Sequence, residues 1–135
     1  HHKNYLDTQE GRKLPIPHCI EGTSGHELYG EVAKRQLEHD AVFMKPTFGS
    51  TSLFERLAGK QDIAAGLGTQ PFASIELVGL VSNMCVLSNA VIARSACPDV
   101  PIIVAASCTA APDPAMNEKA LDIMEGLQIE VVNRA

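Results

Sequence analysis

The chain has 135 residues, 45% of them apolar and 20% charged, and a formal net charge of -5. That length suffices for one domain with a real core, and the composition is that of an ordinary globular protein. The negative balance argues against nucleic acid or an anionic membrane as the main partner, and no apolar run approaches the length of a membrane span. Four cysteines, at 19, 85, 97 and 108, include no C-x-x-C pair. This is neither a zinc-ribbon spacing nor a disulfide-dense secreted frame, and it fits thiols kept reduced in a cytoplasm. Leading histidines are usually a tag remnant, but His1-His2 runs on without a linker or start methionine, so a chain beginning inside a longer protein is expected.

In chain order, His1–Gly25 reads as loop, punctuated by Pro15, Pro17, Gly22 and Gly25. Ser24 and Glu27 form a capping-box pattern that predicts a helix to about Glu38, with Leu28, Val32 and Leu37 on one side. Ala41–Met44 is a predicted short strand ending at Lys45-Pro46. Ser52 and Glu55 suggest a second capping box before a short helix through Leu57, with Asp62–Gln70 as loop or a poorly marked helix.

Ile75–Val81 is short and almost wholly apolar, and reads as a fully buried parallel strand. Ser82 and Asn83 offer capping oxygens, and Val86–Ala96 continues with helical spacing. Pro98 and Pro101 bracket a turn into a strand at Ile102–Ala106. Asp113-Pro114 is an N-cap and first-turn pair for a helix to about Leu127. Ile129–Val132 closes as a strand. The alternation predicts a single α/β domain over residues 1–135, a three-layer α/β/α arrangement with a mainly parallel sheet. Sites in such sheets form at the carboxyl ends of strands, where Lys45, Cys85 and the Ser107–Ala111 loop fall.

Cys85 therefore stands at a strand-to-helix turn. A thiol there faces unpaired N–H groups and the positive end of a helix dipole, both of which favour the nucleophilic thiolate. Cysteine is also among the most buried residue types, and packing alone would account for it. Lys45 is either a solvated strand-end residue or, beside Cys85, an ammonium that stabilises thiolate and developing negative charge. His1, Glu10 and His18 have the donor types that suit zinc, provided the loop folds back on itself. His26 and His39 read as surface residues, and Cys19 as a small buried hydrophobe.

Four segments in order resemble the isochorismatase-like cysteine hydrolases, the superfamily that includes nicotinamidases. They are the PHC-x-x-GT-x-G loop at Pro17–Gly25, the lysine in FMKPTFGS, the turn at Gly79–Val86, and the later strand, helix and strand. The resemblance implies Cys85 as nucleophile and Lys45 as catalytic lysine. It implies backbone N–H groups of Val81 and Cys85 as an oxyanion hole, with a cis peptide at Leu80–Val81. It also implies His1 and His18 as metal ligands, with Glu10 as an added loop carboxylate; by donor type the expected ion is zinc or a similar divalent metal. The expected reaction is cleavage of a small amide through a thioester, by a homo-oligomer whose neighbouring subunit adds to the pocket.

The same resemblance marks departures. The family's catalytic aspartate, and with it the first strand and helix, is expected upstream of His1, since Asp7 lies in a loop context. Ser82-Asn83 replaces the usual Thr-Asp, and Pro15 stands where nicotinamidases carry a tryptophan. This ranks a general amidase above a nicotinamidase. Two alternatives follow: an isochorismatase-type hydrolase of another metabolite, against which Cys85 counts, or a catalytically incomplete binding or assembly module.

Overall fold

The computed structural model describes residues 1–134, and the chain divides into two units, His1–Thr47 and Phe48 onward. In the first unit, Thr8 starts a helix that sequence reading passes over, α1 (Gln9–Lys13), its side chain accepting a hydrogen bond from the Gly11 N–H at 3.0 Å. The long helix predicted after Ser24 breaks into a 3-10 turn at Ser24–His26 and a short α2 (Gly30–Arg35). Gly30 has φ +55, outside helical geometry, and no side chain caps either piece. Leu28, Val32 and Leu37 consequently remain exposed. The predicted strand at Ala41–Met44 is irregular, with Val42 and Met44 exposed. A strand exists only where its backbone finds a ladder partner, and none pairs with this segment among the described residues.

In the second unit, the buried Ser50 caps α3 (Thr51–Gly66) by accepting from the Leu53 N–H at 3.1 Å. This helix runs on past Leu57 through Gly66, so the helical alternative for the stretch after Asp62 holds as far as Gly66. It ends where Gly68 takes φ +66 and the Thr69 N–H returns to the Ala64 carbonyl at 2.9 Å, a glycine-terminated stop. The strands β1 (Ile75–Leu80), β2 (Ile102–Ala110) and β3 (Glu130–Val132) form one parallel sheet in the order β1-β2-β3. Between β1 and β2 the register slips: Leu77 pairs with Val104, but Gly79 pairs with Thr109. Gly79 sits at that irregularity with φ +113, open to glycine at little cost.

One sheet face carries Ile75, Leu77, Ile102, Val104 and Val131 against the core. Helix α4 (Leu87–Ala96) brings Ala90, Ala93 and Ala96, whose small side chains allow close packing. Helix α5 (Pro114–Gly126) brings Ala120, Leu121 and Met124. Asp113 caps α5 as predicted, accepting from the Ala115 N–H at 2.9 Å. The alternate residues Val78 and Leu80 stand 59% and 68% exposed, so β1, at the end of the strand order, has one open face rather than the full burial predicted. The result is an α/β fold with a parallel sheet and flanking helices. No helix of the described residues is long and apolar enough to cross a membrane.

Candidate functional site

In the first unit, the chain folds back so that the His1 amino group donates to the Cys19 carbonyl at 2.6 Å and the Glu21 N–H donates to the His1 carbonyl at 2.8 Å. That closure brings the imidazoles of His1 and His18 together, their Nε2 atoms 3.1 Å apart. The Nδ1 of His1 lies 2.9 Å from the Pro46 carbonyl, and that of His18 lies 2.6 Å from the Ile16 carbonyl. A carbonyl only accepts, so each Nδ1 carries a hydrogen, and two rings with no second hydrogen would turn bare Nε2 lone pairs toward each other. Two lone pairs at that separation repel unless a proton or a cation lies between them.

Glu10 completes the set. Its Oε1 lies 3.5 Å from His1 Nε2 and is buried without a hydrogen-bond partner. One ligand atom from each of His1, Glu10 and His18 falls within 4.8 Å of the others. Two imidazole nitrogens oriented by backbone carbonyls, plus a carboxylate oxygen lacking a donor, fit a divalent ion of zinc type. Beneath them lies Tyr5, whose hydroxyl donates to the Leu14 carbonyl at 3.0 Å. Burial first, and then the Glu10 carboxylate, pushes its phenol pKa up.

A cavity of about 60 Å³ in the same unit is lined by His1, His2, Glu21, His26, Lys45 and Pro46, together with Met44. Lys45 is half-buried there, and its Nζ donates to the Thr47 carbonyl at 3.1 Å. His26, expected as plain surface, is half-buried and lines this cavity, while His39 is exposed. Cys19 is exposed rather than buried, and its backbone takes φ +47, the left-handed geometry of a turn rather than of a packed element.

In the second unit, the Leu80–Val81 peptide bond is cis, at the position the resemblance implies. A π-helical turn, Ser82–Val86, then carries Cys85 into α4. The Val81 carbonyl accepts from the N–H groups of both Met84 and Val86, each at 3.2 Å. Ser82 and Asn83 do not cap the helix; the Ser82 hydroxyl and the Asn83 carbonyl oxygen are buried without a hydrogen-bond partner. Half-buried Cys85 is anchored through its carbonyl, which accepts from the Asn89 side chain at 2.8 Å. Sequence reading missed Asn89 and Tyr5. The only signals were an amide among the alanines of α4 and an aromatic near a terminal histidine.

The second unit thus holds a parallel sheet with a thiol just past the carboxyl end of a strand, and the first unit holds the His1/Glu10/His18 set. The isochorismatase-domain family model matches residues 1–135, and the chain belongs to that family of hydrolases. Nicotinamidase from Bacillus subtilis is 25% identical with a TM-score of 0.70, over 93% of this chain and 67% of that one. The pyrazinamidase/nicotinamidase of Streptococcus mutans is 26% identical with a TM-score of 0.66, over 90% of this chain and 66% of that one. A Pyrococcus horikoshii pyrazinamidase solved with zinc shares the fold at 20% identity and a TM-score of 0.64, over 98% of this chain and 71% of that one. Comparison with curated proteins gave no significant match.

Proposed function

We propose that the chain belongs to a cysteine hydrolase that cleaves the C–N bond of a small amide. The observation that carries this reading is Cys85 at the β1–α4 turn, its backbone tied by Asn89, in a family member about one quarter identical to nicotinamidases. A general base takes the Cys85 proton, the thiolate attacks the amide carbon, and Lys45 supplies the positive charge that favours thiolate. The Val81 and Cys85 N–H groups hold the oxyanion. Collapse breaks the C–N bond as the same base passes that proton to the leaving amine, and a thioester remains. Water then attacks the thioester, the acid departs and the thiol takes back a proton.

His1, Glu10 and His18 are the residues that would hold a divalent ion, zinc by donor type. Such an ion would orient the substrate or lower the pKa of a bound water. The same reading takes residues 1–135 as one isochorismatase-like domain, in a cytoplasmic homo-oligomer. Its test is ammonia release over a panel of amides, nicotinamide and pyrazinamide among them, with Cys85→Ala as control. Activity that survives in the control at the parent rate would sink the reading.

A further inference from the structure

We propose that Tyr5 is a positioning residue of the His1/Glu10/His18 centre, its ring presetting both imidazoles and its backbone, through Gly11, the carboxylate. This rests on the reading of that trio as a metal centre. Tyr5 is 2% exposed and is the one large side chain buried in the first unit among the described residues. The unit's apolar nucleus is thus a single aromatic ring, and it lies against the candidate ligands. Its centroid is 4.4 Å from that of His1 at a 42° tilt, and 5.1 Å from that of His18 at 80°, edge-on. Contacts of this kind restrict ring rotation, which the carbonyl bonds at Nδ1 alone would leave partly free.

The carboxylate is placed by a different contact. Gly11 approaches the Tyr5 backbone so closely that a Cβ there would lie 2.0 Å from the Tyr5 carbonyl oxygen and 2.8 Å from Leu6 Cα. Both obstacles are backbone, so a larger residue forces α1 away from Tyr5. Glu10 is the preceding residue of that helix and would move with it. Thr8 also holds that carbonyl, its hydroxyl donating to Tyr5 O at 2.6 Å. Three ligand atoms on three segments are therefore referred to one residue. Ligands ordered before the ion arrives lose less freedom on binding it.

The test uses the whole chain and two probes, Zn²⁺ and Co²⁺. There is no tryptophan, so emission comes from the two tyrosines, and Tyr29 is 92% exposed. Tyr5→Leu keeps apolar bulk but loses the flat ring, and should weaken Zn²⁺ binding by about 10- to 100-fold and alter the Co²⁺ d–d bands. Tyr5→Phe keeps the ring and should restore binding to within about threefold, the stacking being what matters. Gly11→Ala should lower affinity in the same direction. A folded Tyr5→Leu protein that binds Zn²⁺ as tightly as the parent, while His18→Ala does not bind, overturns the role of Tyr5 alone. A parent that binds neither ion overturns the metal reading and this inference together. In Tyr29→Phe the remaining emission is that of Tyr5, which Co²⁺ should quench at the concentration where d–d bands develop. Unquenched emission there would overturn the proposal even if the leucine variant fails to fold.

Discussion

The Asn89 side chain and the Cys85 carbonyl are joined by a hydrogen bond of 2.8 Å, and the same amide group also donates to the Phe48 carbonyl at 2.9 Å. Its oxygen accepts from the Ser50 N–H at 3.0 Å. One side chain thus ties the turn that carries Cys85 to the entry of α3. The last residue of the π turn but one cannot shift without breaking a contact to a second element. Asn89→Ala leaves two carbonyls and one N–H to find other partners. It should cost roughly 2–3 kcal/mol, at about 1 kcal/mol for each net hydrogen bond, read as a lower urea midpoint with an unchanged slope.

The 3.1 Å approach of the His1 and His18 Nε2 atoms leads to a test of stability. Zinc at about 100 times its dissociation constant should stabilise the chain by about 2.7 kcal/mol, seen as a higher unfolding temperature that chelator reverses. His18→Ala should abolish the increment. An equal increment in the variant would place the ion elsewhere.

The four cysteines differ in environment in a way alkylation can read. Cys97 is 0% exposed, its thiol lies 4.0 Å from the Leu57 carbonyl, and burial pushes its pKa up. Both effects lower the accessible thiolate. Mass-mapped iodoacetamide labelling should therefore modify the exposed Cys19 and Cys108 well before Cys97, by roughly an order of magnitude or more in rate. Early labelling of Cys97 in the folded protein would contradict the packing described.

The core of the second unit is concentrated in a few side chains. Leu121 and Met124 on α5 are 1% and 0% exposed. Truncating either to alanine removes buried apolar surface and leaves a cavity, and should cost about 2–5 kcal/mol in urea denaturation. Leu127→Ala, at 45% exposure, should cost far less.

Tyr5 also sets a dependence on pH. Its phenol is raised by burial and by Glu10, so the folded chain keeps a proton that the unfolded chain releases near pH 10. The contribution is whole below about pH 10 and is lost as pH rises through the folded value. Between pH 8 and 11 the parent should lose more stability than Tyr5→Phe, and the difference in urea midpoints measures it.

Much of the second unit was legible because its signals are local. Asp113-Pro114 caps α5, the Val- and Ile-rich runs became β1 and β2, and Cys85 falls just past a strand end as its flanks predict. The first unit was not. The capping-box pattern at Ser24 made only one 3-10 turn, and Val42 and Met44 found no strand partner. Pattern reading assumes that an apolar stripe or run meets a complementary surface, and here Val32 and Leu37 meet solvent.

The sequence by itself determined the α/β class, the family likeness and the residue types able to attack a carbonyl or hold an ion. Tertiary structure alone decided that His1 and His18 meet at 3.1 Å, that Glu10 joins them without a donor, and that Cys19 turns outward. Caps and periodicity act over a few residues. Convergence of two imidazoles 17 residues apart depends on closing a loop, through the His1 amine to Cys19 and the ring of Tyr5, and spacing does not encode that closure.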